Sequence, residues 1–112
     1  MNGRKLKFRM WDKVINKMMP DLNTVAFNDP EYEFMQFTGL YDDGDKEIYE
    51  GDIVITKYQS SNWWHKIGVV KWKNQSSCFK VIHNGDQCGI TNAVEVIGNI
   101  FENPELLVDN QP

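Results

Sequence analysis

Cysteine and histidine are scarce in this chain, and their scarcity removes several chemistries together. Among 112 residues there are two cysteines and two histidines. Stretches of twelve, four and four residues separate His65, Cys78, His83 and Cys88. Structural zinc sites bring their ligands in close pairs two to four residues apart, so no metal site is expected. The flanks of these residues give no sign of a lowered thiol pKa or a strained nucleophile turn, so no catalytic residue and no enzyme activity are expected. There is no glycine-rich phosphate cradle, and no cofactor is expected. No apolar run approaches the roughly 20 residues of a membrane helix. The basic opening MNGRKLKFRMWDK also lacks the apolar stretch of a secretory signal. The expectation is a soluble, cytoplasmic protein with no membrane partner, whose cysteines are free, small and half-buried.

Helical periodicity is missing too. No segment sustains it over three turns, and there is no internal repeat or low-complexity stretch. What is present is globular composition, with 41% hydrophobic, 12% aromatic and 25% charged residues. A chain of this size buries about 66% of its unfolded surface, enough for one core without a metal or a disulfide. The net charge of −4 hides a block pattern: +5 over residues 1–20, −9 over 21–52, +5 over 53–85 and −5 over 86–112. Pairing between unlike blocks, within the fold or between subunits, would account for it; so would a basic binding face made from the third block.

The pattern of the chain is mostly β. Leu6, Phe8 and Met10 alternate with Lys5, Lys7 and Arg9 up to Trp11, which predicts a half-buried strand with a basic outer face. Val14-Ile15 reads as a short return strand, and residues 16–31 as a loop-rich stretch. Glu33 to Thr38 is a strand stopped by Gly39. The tight turn Tyr41 to Lys46 follows, with Gly44 free to take positive φ. Ile53 to Thr56, Lys66 to Trp72, Cys78 to Ile82 and Ala93 to Ile97 are further strands. Gln59 to Asn62 and Asn74 to Ser77 are polar connections. Asn84-Gly85 is the strongest hairpin signal, and Asn103-Pro104 marks a short terminal helix or tail.

Four separated segments carry a resemblance. They are Lys7-Phe8-Arg9-Met10-Trp11-Asp12; Met35 to Leu40 with Lys46 to Val54; Gly68-Val69-Val70-Lys71-Trp72; and Glu95 to Leu106. In order and spacing the chain resembles the YopX-like family of phage and prophage proteins over nearly its whole length. One departure is that Asp43-Gly44-Asp45 stands where the family has an Asn-Gly turn. The resemblance implies a β-rich fold and a bacterial host cell, and implies no particular activity.

The residues then favour a mainly β fold: an N-terminal strand-and-loop region over 1–49, an SH3-like barrel over 50–101, and a tail or short helix over 102–112. In small SH3-like barrels a Gly-Asp-hydrophobic-Val entry is common, because glycine turns sharply and the carboxylate caps free amides. Gly39, Tyr49, Glu50, Gly51, Asp52, Gly68, Trp72, Gly98 and Asn99 are accordingly expected to be structural. Asp42, Asp43 and Asp45 are expected to be solvated in their turn. The tract holding Tyr58, Trp63, Trp64, Lys66, Lys71, Trp72 and Lys73 interleaves aromatics with cations, as single-stranded nucleic acid binding requires. Its plainer reading puts one tryptophan in the core and another at a subunit contact. The favoured expectation is a non-catalytic module that self-assembles or binds a host or phage protein. The alternatives are a single-stranded nucleic-acid-binding barrel using Tyr58, Trp63, Trp64, Lys66, Lys71 and Lys73, and an inhibitor of a host DNA-processing enzyme acting through the acidic 21–52 segment.

Overall fold

A computed structural model of the chain describes residues 6–20, 29–58 and 62–108. Among these residues nine strands and one short helix follow in order: β1 (Phe8–Asp12), β2 (Lys17–Pro20), β3 (Tyr32–Tyr41), β4 (Glu47–Tyr49), β5 (Asp52–Lys57), β6 (Trp64–Lys73), β7 (Cys78–His83), β8 (Asp86–Gly89), β9 (Val94–Asn99) and α1 (Glu105–Val108). They form a four-stranded sheet, β2-β1-β3-β4, and a curled half-barrel of five strands, β8-β7-β6-β5-β9. All pairings are antiparallel. β-Branched residues fill the core of the half-barrel, where Val54, Val70, Val81, Val94 and Val96 pack with Ile48 contributed by β4. That choice suits a pleated surface, since branched side chains pack well across neighbouring strands. The Asn84-Gly85 hairpin forms as expected, with both residues at positive φ.

Several local expectations are corrected. Val14 and Ile15 lie in an exposed turn, and the return strand is β2. Asp12 fixes that turn by accepting N–H bonds from both residues. Gly39 does not stop its strand. It takes φ +87° and the ladder with β4 shifts register there, so β3 continues to Tyr41. In the next turn it is Asp45, at φ +65°, that takes the left-handed conformation expected of Gly44. Asp42 is not solvated but 5% exposed. β8 went unforeseen because Asp86-Gln87-Cys88-Gly89 has neither alternation nor β-branching; its hairpin alone places it. The polar connection at 59–62 falls largely outside the described residues.

The described basic residues of the β1 region are engaged in ion pairs within the fold, and one of these, Arg9 with Asp52, joins the two sheets. Arg9 gives a hydrogen bond of 2.7 Å to Asp52, and Lys7 one of 2.6 Å to Glu47. Lys13 pairs with Glu33, and Lys57 with both Asp43 and Glu95. Every one of these pairs joins oppositely charged blocks of the sequence, so intramolecular pairing accounts for much of the block pattern. The Arg9 guanidinium also lies 4.6 Å from the ring centre of Tyr49. The second oxygen of Asp52 accepts the N–H of Tyr49 at 2.7 Å, which is the amide-capping role expected of it.

Candidate interaction surface

β6 carries most of the aromatic and basic residues singled out above, and its pairing with β7 sorts them. Val70 lies opposite Val81 and both are in the core. Trp72, two residues on, and its partner Phe79 therefore share the core-side face, at its rim. Lys71 lies opposite Lys80, and Lys73 is two residues further along that outer face. The strand alternation thus separates the indole of Trp72 from the ammonium groups of Lys71 and Lys73.

The other members are scattered. Tyr58 packs against the half-barrel core, where its hydroxyl donates to the Gly89 carbonyl at 2.8 Å and accepts the Thr91 N–H at 3.1 Å. Trp63 also packs on the core, edge-on to His83, and its carbonyl accepts the Thr56 hydroxyl. Trp64 is exposed and stacks on His65 at 4.0 Å, so the two adjacent tryptophans do divide between inside and outside. Lys66 borders a separate small polar cavity with Trp63 and His83. Both cysteines are free and half-buried, and burial pushes the Cys88 thiol up to about 11. The described residues contain no group of three His, Cys, Asp or Glu able to hold a metal ion.

Trp72 itself stands, 42% exposed, between two apolar grooves. One, of about 480 Å³, runs between Thr38-Gly39-Leu40 of β3 and Phe79, Gly89 and Ile90. The other, of about 260 Å³, has Glu33, Phe34 and Met35 on one wall, Val69 to Trp72 on the other, and Gly51, Ile100 and Phe101 between them. The indole is held edge-on to Phe79, and its N–H is committed to Asn74 at 2.7 Å. Trp72 therefore presents apolar surface rather than a spare donor.

The turn Tyr49-Glu50-Gly51-Asp52 builds the floor of the second groove. Gly51 sits at φ +88°, a conformation that any other residue would adopt only with strain, and a Cβ there would come within 3.3 Å of the Met35 sulfur. Its N–H bonds Val70 and its carbonyl accepts from Ile100. Ile100 and Phe101 are placed in turn by Gly98 and Asn99. Asn99 accepts the N–H groups of Phe101 and Glu102, and a Cβ on Gly98 would lie 2.6 Å from the Asn103 amide oxygen. Phe101 then stacks on Trp11 of β1 at 5.5 Å. The residues expected to be structural thus frame an apolar groove, a role visible only once the sheets are assembled.

This is the architecture of a small, mainly β protein: a curled half-barrel with a second sheet laid against it. Within that class the chain belongs to the YopX protein family, which it matches over residues 21–108. Its fold is similar to that in the crystal structure of protein EF1440 from Enterococcus faecalis, with a TM-score of 0.66 and 22% identity, covering 94% of this chain and 99% of that one. A search of curated proteins returns no match.

Proposed function

We propose that this protein is a non-catalytic β module, carried by a phage or prophage and acting in the bacterial cytoplasm, that binds protein through the surface around Trp72. The observation that carries the reading is an exposed tryptophan between two apolar grooves, the kind of residue that dominates protein interfaces. The strand order of the half-barrel, a four-strand meander with the last strand returning beside the first, supports an SH3-like reading of the second half. The buried ionisable groups are consistent with a binding role. Asp42 and Asp52 close turns, and Cys88 is held as an unreactive thiol.

Self-assembly is the first form of this binding to test. Light scattering at micromolar concentration should give a species larger than the 13.1 kDa chain, and Trp72→Ala should shift it towards monomer. A clean monomer for the parent protein would remove self-assembly and leave a different protein as the partner.

The nucleic-acid reading keeps one specific support. Lys71 and Lys80 face each other across β6–β7 with Lys73 beside them, and none of the three forms an ion pair with a described carboxylate. It predicts quenching of tryptophan emission by single strands, with affinity falling as salt rises. Separation of Trp72 from these lysines weakens it. The enzyme-inhibitor reading is weakened differently, since Asp42 and Asp52 are buried and Glu33, Asp43 and Glu47 are paired internally. Half of the ten acids of that block are thus buried or paired within the fold.

A further inference from the structure

The smaller groove beside Trp72 is lined by consecutive residues, Glu33 to Met35 and Val69 to Trp72. Side chains alternate between the two faces of a strand, so a groove that touches every residue of a run follows the strand's edge. The pairings identify that edge on β6. β7 accompanies β6 to its end at Lys73↔Cys78, whereas the pairing with β5 ends at Ile53↔Val69. The cause is the turn at Gly51. Gly51 donates its N–H to the Val70 carbonyl, but the preceding residue, Glu50, donates to Gln36 on β3, so the chain has left β6. The Val70 carbonyl points to this side, and two residues on, Trp72 presents its own N–H and C=O there. Among the described residues no strand pairs with β6 beyond that point.

Two other edges of the molecule, those of β9 and β2, are blunted. Asp42 and Asp43 cover β9 by bonding Val96 N–H and the Val94 carbonyl. β2 carries Lys17 and Pro20, residues that discourage strand addition. The open stretch of β6 carries Lys71 and Lys73, but both stand on the outer face; it has no proline and no covering turn, and its core side opens into an apolar slot.

We propose that this edge accepts an extended segment of a partner protein as an added β-strand, an inference that rests on the protein-binding reading of the Trp72 surface and gives that binding a mode. Main-chain bonds to Trp72 supply the register. Alternate residues of the segment are apolar, to fill the slot between Trp72, Phe34 and Phe101. A Lys or Arg in the segment meets Glu50 on the rim, away from Lys71 on the β6 wall; Glu33, the other rim carboxylate, is already paired with Lys13. The open edge is short, so the fit calls for a segment of about five or six residues, the ordinary length of a strand.

The test uses the full chain, ¹⁵N-labelled, and two synthetic probes. The first is an acetylated, amidated hexapeptide alternating valine and threonine, with one threonine replaced by lysine. The second is the same peptide N-methylated at alternate residues, which blocks its strand edge while keeping its side chains. The first probe should move the Trp72 backbone amide saturably and slow its hydrogen exchange, and N-methylation on the edge facing β6 should weaken binding by about tenfold or more. Equal binding of both peptides, with the Trp72 indole resonance perturbed, overturns strand addition and leaves a side-chain docking surface. No change at the Trp72 amide with either peptide at millimolar concentration also overturns it. The protein-binding reading is then judged separately, by the effect of Trp72→Ala on light scattering.

Discussion

Asp42 and Asp52 are both buried beside tight turns, yet they are held by opposite means. Asp42 forms no ion pair with a described cation, and the charge of nearby Lys46 is the least of the influences that lower its pKa. One oxygen accepts the N–H groups of Gly44 and Lys46 and the other that of Val96, each at 2.8–2.9 Å. Burial works to raise its pKa, but these bonds outweigh it and hold the carboxyl below its ordinary value. Asp52, 1% exposed, faces the Arg9 guanidinium and accepts one backbone N–H. There burial prevails over Arg9 and the Tyr49 N–H, and the pKa is raised. The two carboxyls differ in depth as well as in partners: Asp52 lies deeper, and there desolvation outweighs the bonds it accepts, whereas the three N–H groups on the shallower Asp42 outweigh its burial. The two also divide the labour. Asp42 closes the edge of β9, and Asp52 joins the two sheets at the turn beneath the Trp72 groove.

The largest effect should come from breaking the ion pair. Asp52→Ala leaves Arg9 partly buried without its anion, and the Nε of Arg9 already lacks a hydrogen-bond partner. Such a change costs about 3–5 kcal/mol, a large part of the stability of a domain this size. Urea denaturation measures it. The double change Arg9→Met with Asp52→Leu should recover most of the loss, since the pair itself adds little net stability. A double variant as unstable as Asp52→Ala would show that the pair is worth more than its burial suggests. Asp42→Asn comes next, at about 1–3 kcal/mol, because the amide offers one acceptor oxygen and turns a donor towards one of the bonded N–H groups. The same denaturation series gives its value.

Acid should separate the two residues by sign. The folded pKa of Asp42 lies below its unfolded value, near 3.8. Its contribution is therefore complete above that pH and is lost as the pH falls through the folded pKa. The folded pKa of Asp52 lies above its unfolded value, so its contribution is greatest in acid and declines as the pH rises through that interval. Against the parent protein, Asp42→Asn should flatten the acid limb of the stability curve, and Asp52→Asn should make stability rise more steeply with pH just above 3.8. Parallel curves for the parent and both variants would refute the opposite shifts.

The strands were legible wherever alternation or β-branching was strong, as in Ile53 to Thr56 and Lys66 to Trp72. The hairpin at Asn84-Gly85 was legible from its two residues alone. The charge blocks forecast their own pairing. By contrast, Asp42 looked like a solvated turn residue because its partner N–H, on Val96, is 54 positions away. The aromatic and basic tract looked like one surface because sequence places Trp72 between Lys71 and Lys73, and the pleat of the strand is what parts them. The groove was not legible at all. It exists because one turn leaves β3 at Gln36 and joins β6 at Val70, a fact about two sheets rather than about any run of residues.

The smallest effect tests whether charge at the surface of the Asp42 turn matters as charge between the sheets does. Lys57 bonds Asp43 at 2.7 Å and Glu95 at 3.0 Å, tying the turn to β9 from outside, and these carboxylates hold its pKa above the ordinary value. The three side chains are between about a third and a half exposed, so water and salt screen them as they do not screen Arg9 and Asp52. Lys57→Met, which keeps the apolar stem, should lower the thermal midpoint only slightly at low ionic strength. The difference should vanish at about 1 M salt, where the screening length falls to about 3 Å. A deficit that persists in high salt would mean that Lys57 acts through packing of its stem against the turn. In that case the hold on β9 comes from Asp42 and the backbone bond of Asp43 with no electrostatic help from outside.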